Sequence, residues 1–320
     1  MSDIGSCTVI TVSYNSRETL ERNVLQWKAF PRLIVVDNAS VDSTAEWVRG
    51  TLPECRLFIN STNIGYGRAN NLALQKVDTP YALLLNPDCQ LPLTSLREML
   101  ACANRHPEIA LIGPRYVDIG GKTLEACRVF FNKKNRRKMR YVDPVGDLCT
   151  DFVTGAALLV NVARVSELQG FDRWFFLYCE DEELAWRVRH AGLPVMVAAA
   201  AKAVHSPMRS STAGAGLHFV RHYCHTLSKL RLRRCVGQSR WRVFSYGMLV
   251  LSGAVLLLPF RLLGFSWPRA VREVARIAAI VTAPIQLSLA ECQPTPARLA
   301  AYLCRRLRRW GGGSGSGSSE

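Results

Sequence analysis

The chain lacks any pair of cysteines at the close spacing of a zinc finger, although it holds eleven of them in 320 residues. Scattered through a chain this long, they read as reduced thiols of a cytosolic compartment, not as a metal framework or a disulfide scaffold. Met1–Thr8 has no basic stretch leading into an apolar run, so no secretory signal is expected. Acidic residues are scarce in one place only. Residues 201–310 carry eighteen Lys or Arg against Glu273 and Glu291, which accounts for the whole formal net charge of +16. Charge confined to an apolar region suits anionic lipid headgroups better than a nucleic-acid duplex, because a lipid surface satisfies both features together. A nucleic-acid partner is therefore not expected.

With 48% apolar residues the chain can bury a full core and is long for one compact domain. Apolar, β-branched runs at Cys7–Ser13, Leu33–Val36, Arg56–Ile59 and Ala82–Leu85 are bounded by turn residues. Helical spacing fills the intervals Arg17–Phe30, Ser43–Leu52 and Gly67–Lys76, with Ser43 or Asp42 able to cap the second. This alternation predicts an α/β fold, a mostly parallel sheet with helices on both faces and ligands at the carboxyl ends of the strands. Between Tyr116 and Thr150 the pattern gives way to a polar connection containing Lys133, Lys134, Arg136, Arg137, Lys138 and Arg140, either a solvated loop or a flap facing phosphate or acceptor. Order returns with strand candidates at Phe152–Val160 and Pro194–Ala199 and a helix over Glu180–His190 that Gly192 ends.

Composition then changes. Val243–Phe260 is uncharged and borders on the length of a membrane span, while Pro268–Ala290 places Arg269, Arg272, Glu273 and Arg276 along one stripe, the layout of a helix lying in a membrane interface; a helical hairpin through the bilayer and buried core helices of a soluble domain are the alternatives. Arg305, Arg306, Arg308, Arg309 and Trp310 pair cations with an interfacial aromatic. The organisation expected is an α/β domain over residues 1–215, a basic, apolar, membrane-associated helical region over 216–310, and an artificial Gly/Ser linker over 311–320.

Five sets of residues can carry chemistry. Ser13, Tyr14 and Asn15 follow the first strand and Asp37 the second, so a carboxylate there can accept from a nucleobase or ribose; taken alone, such Asx-rich turns are ordinary turn chemistry. Asn63, Gly65 and Asn70 lie in a glycine-bearing loop that enters a helix, a place where backbone amides can meet an anion. Asn86 and Asp88 end a buried strand, where one or two carboxylates plus phosphate oxygens can hold a hard divalent cation. Glu180 and Asp181 begin a helix after an aromatic run, and such a carboxylate can serve as a general base. His205, followed by Arg209, can bind a metal or neutralise a diphosphate.

In this order and spacing the sets resemble the family-2 glycosyltransferases of the GT-A fold, in the bacterial rhamnosyltransferase-like branch. The resemblance runs over about residues 7–211 and is carried by Val12-Ser13-Tyr14-Asn15, Val35-Val36-Asp37-Asn38-Ala39-Ser40, Asn63 through Asn71, Leu84-Leu85-Asn86-Pro87-Asp88, Gly155-Ala156-Ala157, and Gly170-Phe171-Asp172 running into Phe176-Leu177-Tyr178-Cys179-Glu180-Asp181. It implies that Asp37 binds the donor base and that Asp88, with His205, holds a divalent metal (Mg²⁺ or Mn²⁺) on the diphosphate. It implies Asp181 as catalytic base with Glu180 beside it, and Ser13, Tyr14, Asn15, Asn63, Gly65, Asn70, Asn86, Gly155 and Arg209 around the donor. Asn86 stands where many relatives carry the first acid of an Asp-any-Asp motif, so one carboxylate fewer is available.

The activity so implied is inverting transfer of a sugar, L-rhamnose from dTDP-L-rhamnose, onto a polyprenyl-diphosphate-linked saccharide of an O-antigen-like surface polysaccharide. The setting implied is the cytoplasmic face of the bacterial inner membrane. A UDP-hexose or UDP-N-acetylhexosamine donor is the alternative within the same mechanism. A non-catalytic nucleotide-binding regulator and a basic nucleic-acid adaptor are the rivals from other classes.

Overall fold

Alternating inward and outward apolar residues along each buried strand give the sheet two packed faces. The computed structural model describes residues 3–118, 120–121, 123, 146–205, 215–263 and 267–288. In chain order these form β1 (Cys7–Ser13), α1 (Arg17–Arg22), α2 (Val24–Ala29), β2 (Leu33–Asp37), α3 (Thr44–Thr51), β3 (Arg56–Ile59), α4 (Tyr66–Leu74), β4 (Tyr81–Leu85) and β5 (Cys89–Gln90). There follow α5 (Leu93–Arg105), β6 (Leu111–Val117), β7 (Leu148–Cys149), β8 (Ala157–Asn161), α6 (Val162–Glu167), α7 (Glu180–His190), β9 (Val195–His205), α8 (Ala215–Cys235), α9 (Arg240–Leu263) and α10 (Trp267–Ser288). The chain divides into two compact units. One holds Met1–Asp172 and Asp181–Met208; the other holds Arg173–Glu180 and Arg209–Glu320.

In the first unit the sheet order is β3-β2-β1-β4-β8-β6-β9-β5, with β7 paired to β9. Val9, Val35, Leu83, Leu85 and Leu159 point to the face covered by Leu20, Trp27, Val48, Leu96, Met99 and Leu100 from α1, α2, α3 and α5. Ile10, Ile34, Leu84 and Val160 point to the other, covered by Ala69, Ala73, Val165, Leu184 and Val188 from α4, α6 and α7. Fully burying such side chains contributes about 1.5–3 kcal/mol each, and the register matters because a one-residue slip would exchange the two faces and set every side chain against the wrong helices.

Several expectations are refined. The strands β3-β2-β1-β4 are parallel, but β8 runs antiparallel to both β4 and β6, so the sheet as a whole is mixed. The segment read as one helix over Arg17–Phe30 is two helices. Asn23 closes the first through its backbone N–H and turns its side-chain amide to the carbonyl of Pro87, 3.0 Å away, a tertiary contact that outcompetes helix continuation. Ser43 adopts a left-handed backbone (φ 59°) and makes no capping bond; Asp42 accepts from the Thr44 amide instead. The strand expected over Phe152–Val160 begins only at Ala157, and the strand expected over Pro194–Ala199 runs on to include His205. Leu93–Arg105 adds a helix and Leu111–Val117 a strand beyond the elements expected from periodicity.

In the second unit, Trp174, Phe175, Phe176 and Cys179 pack with Val220, Tyr223, Cys224 and Leu227 of α8 and with Ala275 and Ala279 of α10. The Ser228 hydroxyl donates to the Leu177 carbonyl over 3.0 Å. Along the charged stripe of α10 Arg269, Arg272 and Arg276 keep exposed surface, while Glu273 is fully buried between Arg272 and Arg276. Ala270, Ala275, Ala279 and Ala283 line its buried side, since small residues let helices approach closely. Among the described residues α9 is the helix long and apolar enough, by length and composition, to cross a membrane, and only 17% of its apolar window is buried.

Candidate active site

Because β1, β2 and β4 are parallel neighbours, Ser13, Asp37 and the turn after Leu85 come to the same edge of the sheet. Asp37 is 1% exposed. Its Oδ1 accepts from the Ser40 amide at 2.7 Å, while its Oδ2 is buried and has no hydrogen-bond partner among the described residues. A buried carboxylate oxygen left unmatched costs free energy unless a ligand donor reaches it. The surrounding loops are stiffened by amides. Asn15 has a left-handed backbone (φ 52°) and accepts from the Val41 amide with its side chain; its own N–H donates to Ser40 Oγ. Asn38 donates to Asn63 Oδ1 at 2.8 Å and accepts from Asn60 and from the Ile64 amide. Asn63 also receives the Gly65 amide, and Gly65, at φ 92°, takes a conformation that a side chain would resist as it leads into α4.

Two of the expected donor residues face elsewhere. Ser13 is fully buried and its hydroxyl turns to the Val36 carbonyl, and Asn70 is buried with its amide on the Tyr66 carbonyl one turn back. Tyr14 is half-buried at the end of β1, its amide donating to Ser16 Oγ. Arg209, and the basic run from Lys133 to Arg140, lie outside the described residues.

A chain of short contacts joins the two acids singled out from the sequence. Asp181 Oδ2 accepts from the Gly155 amide at 2.9 Å, and Oδ1 accepts from the Glu182 amide at 2.9 Å. The Gly155 carbonyl accepts from the Tyr66 hydroxyl at 3.0 Å. One residue on, the Ala156 carbonyl accepts from the Asn86 amide at 2.9 Å, and the Asn86 carbonyl closes the Asn86-Pro87-Asp88 turn by accepting from Cys89. Cys89 pairs with His205 across the β5–β9 ladder, so Asp88 Oδ1 comes within 3.5 Å of His205 Nε2. A Cβ at Gly155 would stand 3.3 Å from the Asp181 side chain and so press on the carboxylate.

Beneath this edge lies Tyr116, which the sequence reading did not single out. Its hydroxyl receives the Ala157 amide at 2.7 Å, its oxygen lies 3.1–3.2 Å from the Ala157 and Thr154 carbonyls, and its ring meets that of His205 edge-on at 6.1 Å. Burial holds the phenol well above its ordinary value, so it stays neutral and keeps both halves of the edge in place. An aromatic at the end of the apolar run Leu111–Val117 was the only local signal for it.

Burial also raises the Asp181 carboxyl above its ordinary value of 3.8, with the Gly155 and Glu182 amides opposing in part. The residue as a whole is half-buried at the start of α7. Glu180, buried in the helical unit, precedes it in the chain, after Tyr178 and Cys179, both left-handed (φ 70° and 63°). Two successive non-glycine residues in that region store strain of order 1–3 kcal/mol each, a pattern common beside functional groups.

Helix α7, which begins at Glu180, is tied back to the loop before it. Arg187 donates to the carbonyls of Leu168 and Gly170 and pairs with Glu183, while Asn71 of α4 clamps Phe171 in both directions at 2.8 and 2.9 Å. Gly170 sits at φ 66°, and a Cβ there would meet Asn71 Oδ1 at 2.3 Å. Gly170→Ala is expected to destabilise the protein by about 3 kcal/mol, combining backbone strain with loss of the two Asn71 bonds, and to lower Tm accordingly in a thermal melt. An unchanged Tm would contradict the clamp.

Among the described residues no group of three or more His, Cys, Asp or Glu is arranged to hold a metal ion. Asp88 and His205 supply an oxygen and a nitrogen from adjacent strands, and a divalent ion of the Mg²⁺ class that keeps waters and phosphate oxygens needs only one or two protein ligands. The donor set therefore fits a metal shared with a diphosphate and does not fit a closed structural site.

Residues 8–159 match the model of Glycosyl transferase family 2. An N-acetylglucosaminyl-diphospho-decaprenol L-rhamnosyltransferase of Mycobacterium tuberculosis is 24% identical over 255 residues, 68% of this chain and 81% of its own length. Rhamnosyltransferase WbbL of Escherichia coli is 25% identical over 166 residues, 46% of this chain and 63% of its own. A solved mannosyltransferase, PcManGT from Pyrobaculum calidifontis in complex with GDP-Man and Mn²⁺, matches with a TM-score of 0.52 over 87% of each chain at 17% identity, a likeness of fold.

Proposed function

We propose that the chain is a family-2 glycosyltransferase of the rhamnosyltransferase-like branch, with a GT-A fold, and that it transfers L-rhamnose from dTDP-L-rhamnose to a polyprenyl-diphosphate-linked saccharide, with inversion, at the cytoplasmic face of the bacterial inner membrane. The observation that carries the reading is the continuous contact path from Asp181 through Gly155 and Asn86 to Asp88 and His205. The donor sugar and the lipid-linked acceptor are supported by the activity named for the mycobacterial relative.

In this mechanism Asp37 receives the nucleoside on its unmatched Oδ2, and the Asn38–Asn63–Gly65 network holds the loop that borders it. Asp88 and His205 would hold a divalent metal, which when bound neutralises charge on the departing diphosphate. Asp181 takes the proton from the acceptor hydroxyl as that oxygen attacks the anomeric carbon. Its raised pKa makes it a stronger base than an exposed aspartate, while the Gly155 and Glu182 amides aim the carboxylate. One protein carboxylate is enough because a diphosphate leaves without a general acid, unlike the sugar leaving group in glycoside hydrolysis. The reading is tested by incubating the protein with Mn²⁺ or Mg²⁺, dTDP-L-rhamnose and an N-acetylglucosaminyl-diphospho-polyprenol. Rhamnosylated lipid is the expected product; turnover only with UDP-hexoses or UDP-N-acetylhexosamines would replace the donor, and nucleotide binding with no turnover on any acceptor would favour a regulator.

The membrane attachment belongs to the same proposal. Helix α9 exposes Trp241, Phe244, Leu249, Leu256 and Phe260, and Arg240 and Arg242 at its start and Arg261 near its end bracket the apolar run. Lipid would cover these side chains, whereas water leaves them as an unusually large apolar patch. Leu249→Asp with Leu256→Asp, both on exposed positions, is expected to move the protein from the floating to the soluble fraction with anionic liposomes, at a cost of about 2.5–3.5 kcal/mol per charge if the helix enters the hydrocarbon. Undiminished flotation would place the contact elsewhere.

A further inference from the structure

Sugar transfer at Asp181 makes no use of a cationic seam inside the helical unit. Along α8, His218, His222, His225 and Lys229 recur at intervals of four, three and four residues, which sets them on one face of the helix. Helix α10 is packed against α8: the hydroxyls of Tyr223 and Thr282 are 2.9 Å apart, and Ala275 and Ala279 are fully buried. Across the seam His222 lies within electrostatic reach of His218, Arg272, Glu273 and Arg276, and His225 within reach of Lys229, His222 and Arg276. Tyr178 adds its ring, edge-on to His225 at 5.4 Å.

Among the described residues Glu273 is the carboxylate within reach of His222, while Glu180 lies on the Tyr178 side with Arg221, and Glu273 is already engaged. Arg272 Nε and Arg276 Nη1 each approach it at 3.0 Å. With all three imidazoles neutral, Arg272, Arg276 and Lys229 still outnumber Glu273 by two charges. Crowding shows in the imidazoles: burial and the neighbouring cations push His225 down to about 4 and hold His222 below its usual value. The seam is nonetheless open, since the Arg272 and Arg276 side chains keep 30% and 36% of their surface. A purely structural contact would be better served by apolar side chains or by matched acids, because half-exposed cations of one sign held side by side repel one another. An anion reverses that sign, turning the same crowding into attraction. Guanidinium forks and imidazole N–H groups suit phosphate oxygens in particular.

We propose that the α8–α10 seam is a phosphate-binding site, with Arg272, Arg276 and His222 as its donors and a phosphate or diphosphate at a lipid surface as its ligand. Two sources share this chemistry: the diphosphate of a lipid-linked substrate, which rests on the acceptor proposed above, and the headgroup of an anionic phospholipid, which does not.

The test uses the full chain in EDTA, with neither sugar nucleotide nor acceptor present, so its outcome is independent of whether the proposed transfer is right. Histidine ring resonances are followed by NMR while inorganic pyrophosphate is added, and separately with phosphatidylglycerol or phosphatidylcholine vesicles. The His222 and His225 rings are expected to shift with pyrophosphate, and His222→Gln is expected to weaken its binding about tenfold or more, as loss of a charge-assisted bond predicts. Arg276→Gln should act alike but leaves Glu273 with one partner fewer; His222→Gln keeps both ion pairs and so remains decisive if that variant does not fold. A response to pyrophosphate points to the substrate diphosphate, and a response to phosphatidylglycerol but not phosphatidylcholine points to the headgroup; either supports the site. Unmoved rings with both anions, or wild-type binding by His222→Gln, would overturn it.

Discussion

Asp181→Asn is expected to lower kcat by roughly 10²–10⁴-fold, the range for removing a positioned general base, while leaving the donor KM within a few-fold of wild type. The amide cannot take the acceptor proton, whereas the contacts assigned to the donor, centred on Asp37, are untouched. The fold should survive. An Asp whose folded pKa is raised stabilises the protein fully only below its unfolded value, and that contribution is lost as pH rises through the folded value, so at neutral pH the ionised carboxylate is a liability that Asn removes. Against this stands one lost hydrogen bond, since the Asn NH2 cannot accept and must face either the Gly155 or the Glu182 amide; that loss, about 1–3 kcal/mol, is partly offset by the first effect, so Tm should fall only modestly. The same raised pKa sets the pH dependence of the wild type. Its kcat should rise with pH through a midpoint above the ordinary aspartate value of 3.8, and Asp181→Asn should abolish that limb. A variant with normal kcat, or a lost fold instead of a lost rate, would remove Asp181 from the chemistry.

The second large effect is expected at Asp88. Asp88→Asn should reduce transfer by on the order of 10²–10³-fold, the scale for removing one group that stabilises charge developing on a leaving group, with part of the rate recovered at high Mn²⁺. Wild-type activity should disappear in EDTA and return with the metal. Recovery is expected because His205 remains, 3.5 Å away on the adjoining strand. The fold should be nearly indifferent, since Asp88 and His205 are both partly exposed and such pairs contribute about 0–1 kcal/mol. Full activity in EDTA would exclude a metal at this position, and an Asp88→Asn variant as active as wild type would exclude the residue itself.

The parts of the fold visible in the sequence are those written in local patterns. The run Cys7–Ser13 is a strand because its side chains alternate between two buried faces, and Glu180–His190 is a helix that Gly192, at φ 78°, ends. Asp37, Asp88 and Asp181 could be singled out because each follows an apolar run at an element end. What stayed hidden is non-local. No short pattern announces that β8 inserts antiparallel between β4 and β6, yet that insertion brings Gly155 beside Asn86 and so links the two acids. Tyr116 reaches Ala157 across 41 residues of chain for the same reason. Ser13 and Asn70 lie in the right motifs but are consumed by the scaffold, the one bonded to Val36 and the other to Tyr66, because a motif marks a loop without saying which of its side chains turn outward. Along α10, spacing alone set the charges on one stripe, and only the packing of α8 shows that Glu273 is buried within it.

The most direct measurement of the central claim is the anomeric configuration of the sugar in the isolated product, read by NMR against that of the donor. A single displacement assisted by the Asp181 carboxylate places the acceptor oxygen on the face opposite the departing diphosphate, so the configuration should be inverted. A retained configuration would require a second displacement or a front-face route, and would contradict the role assigned to Asp181.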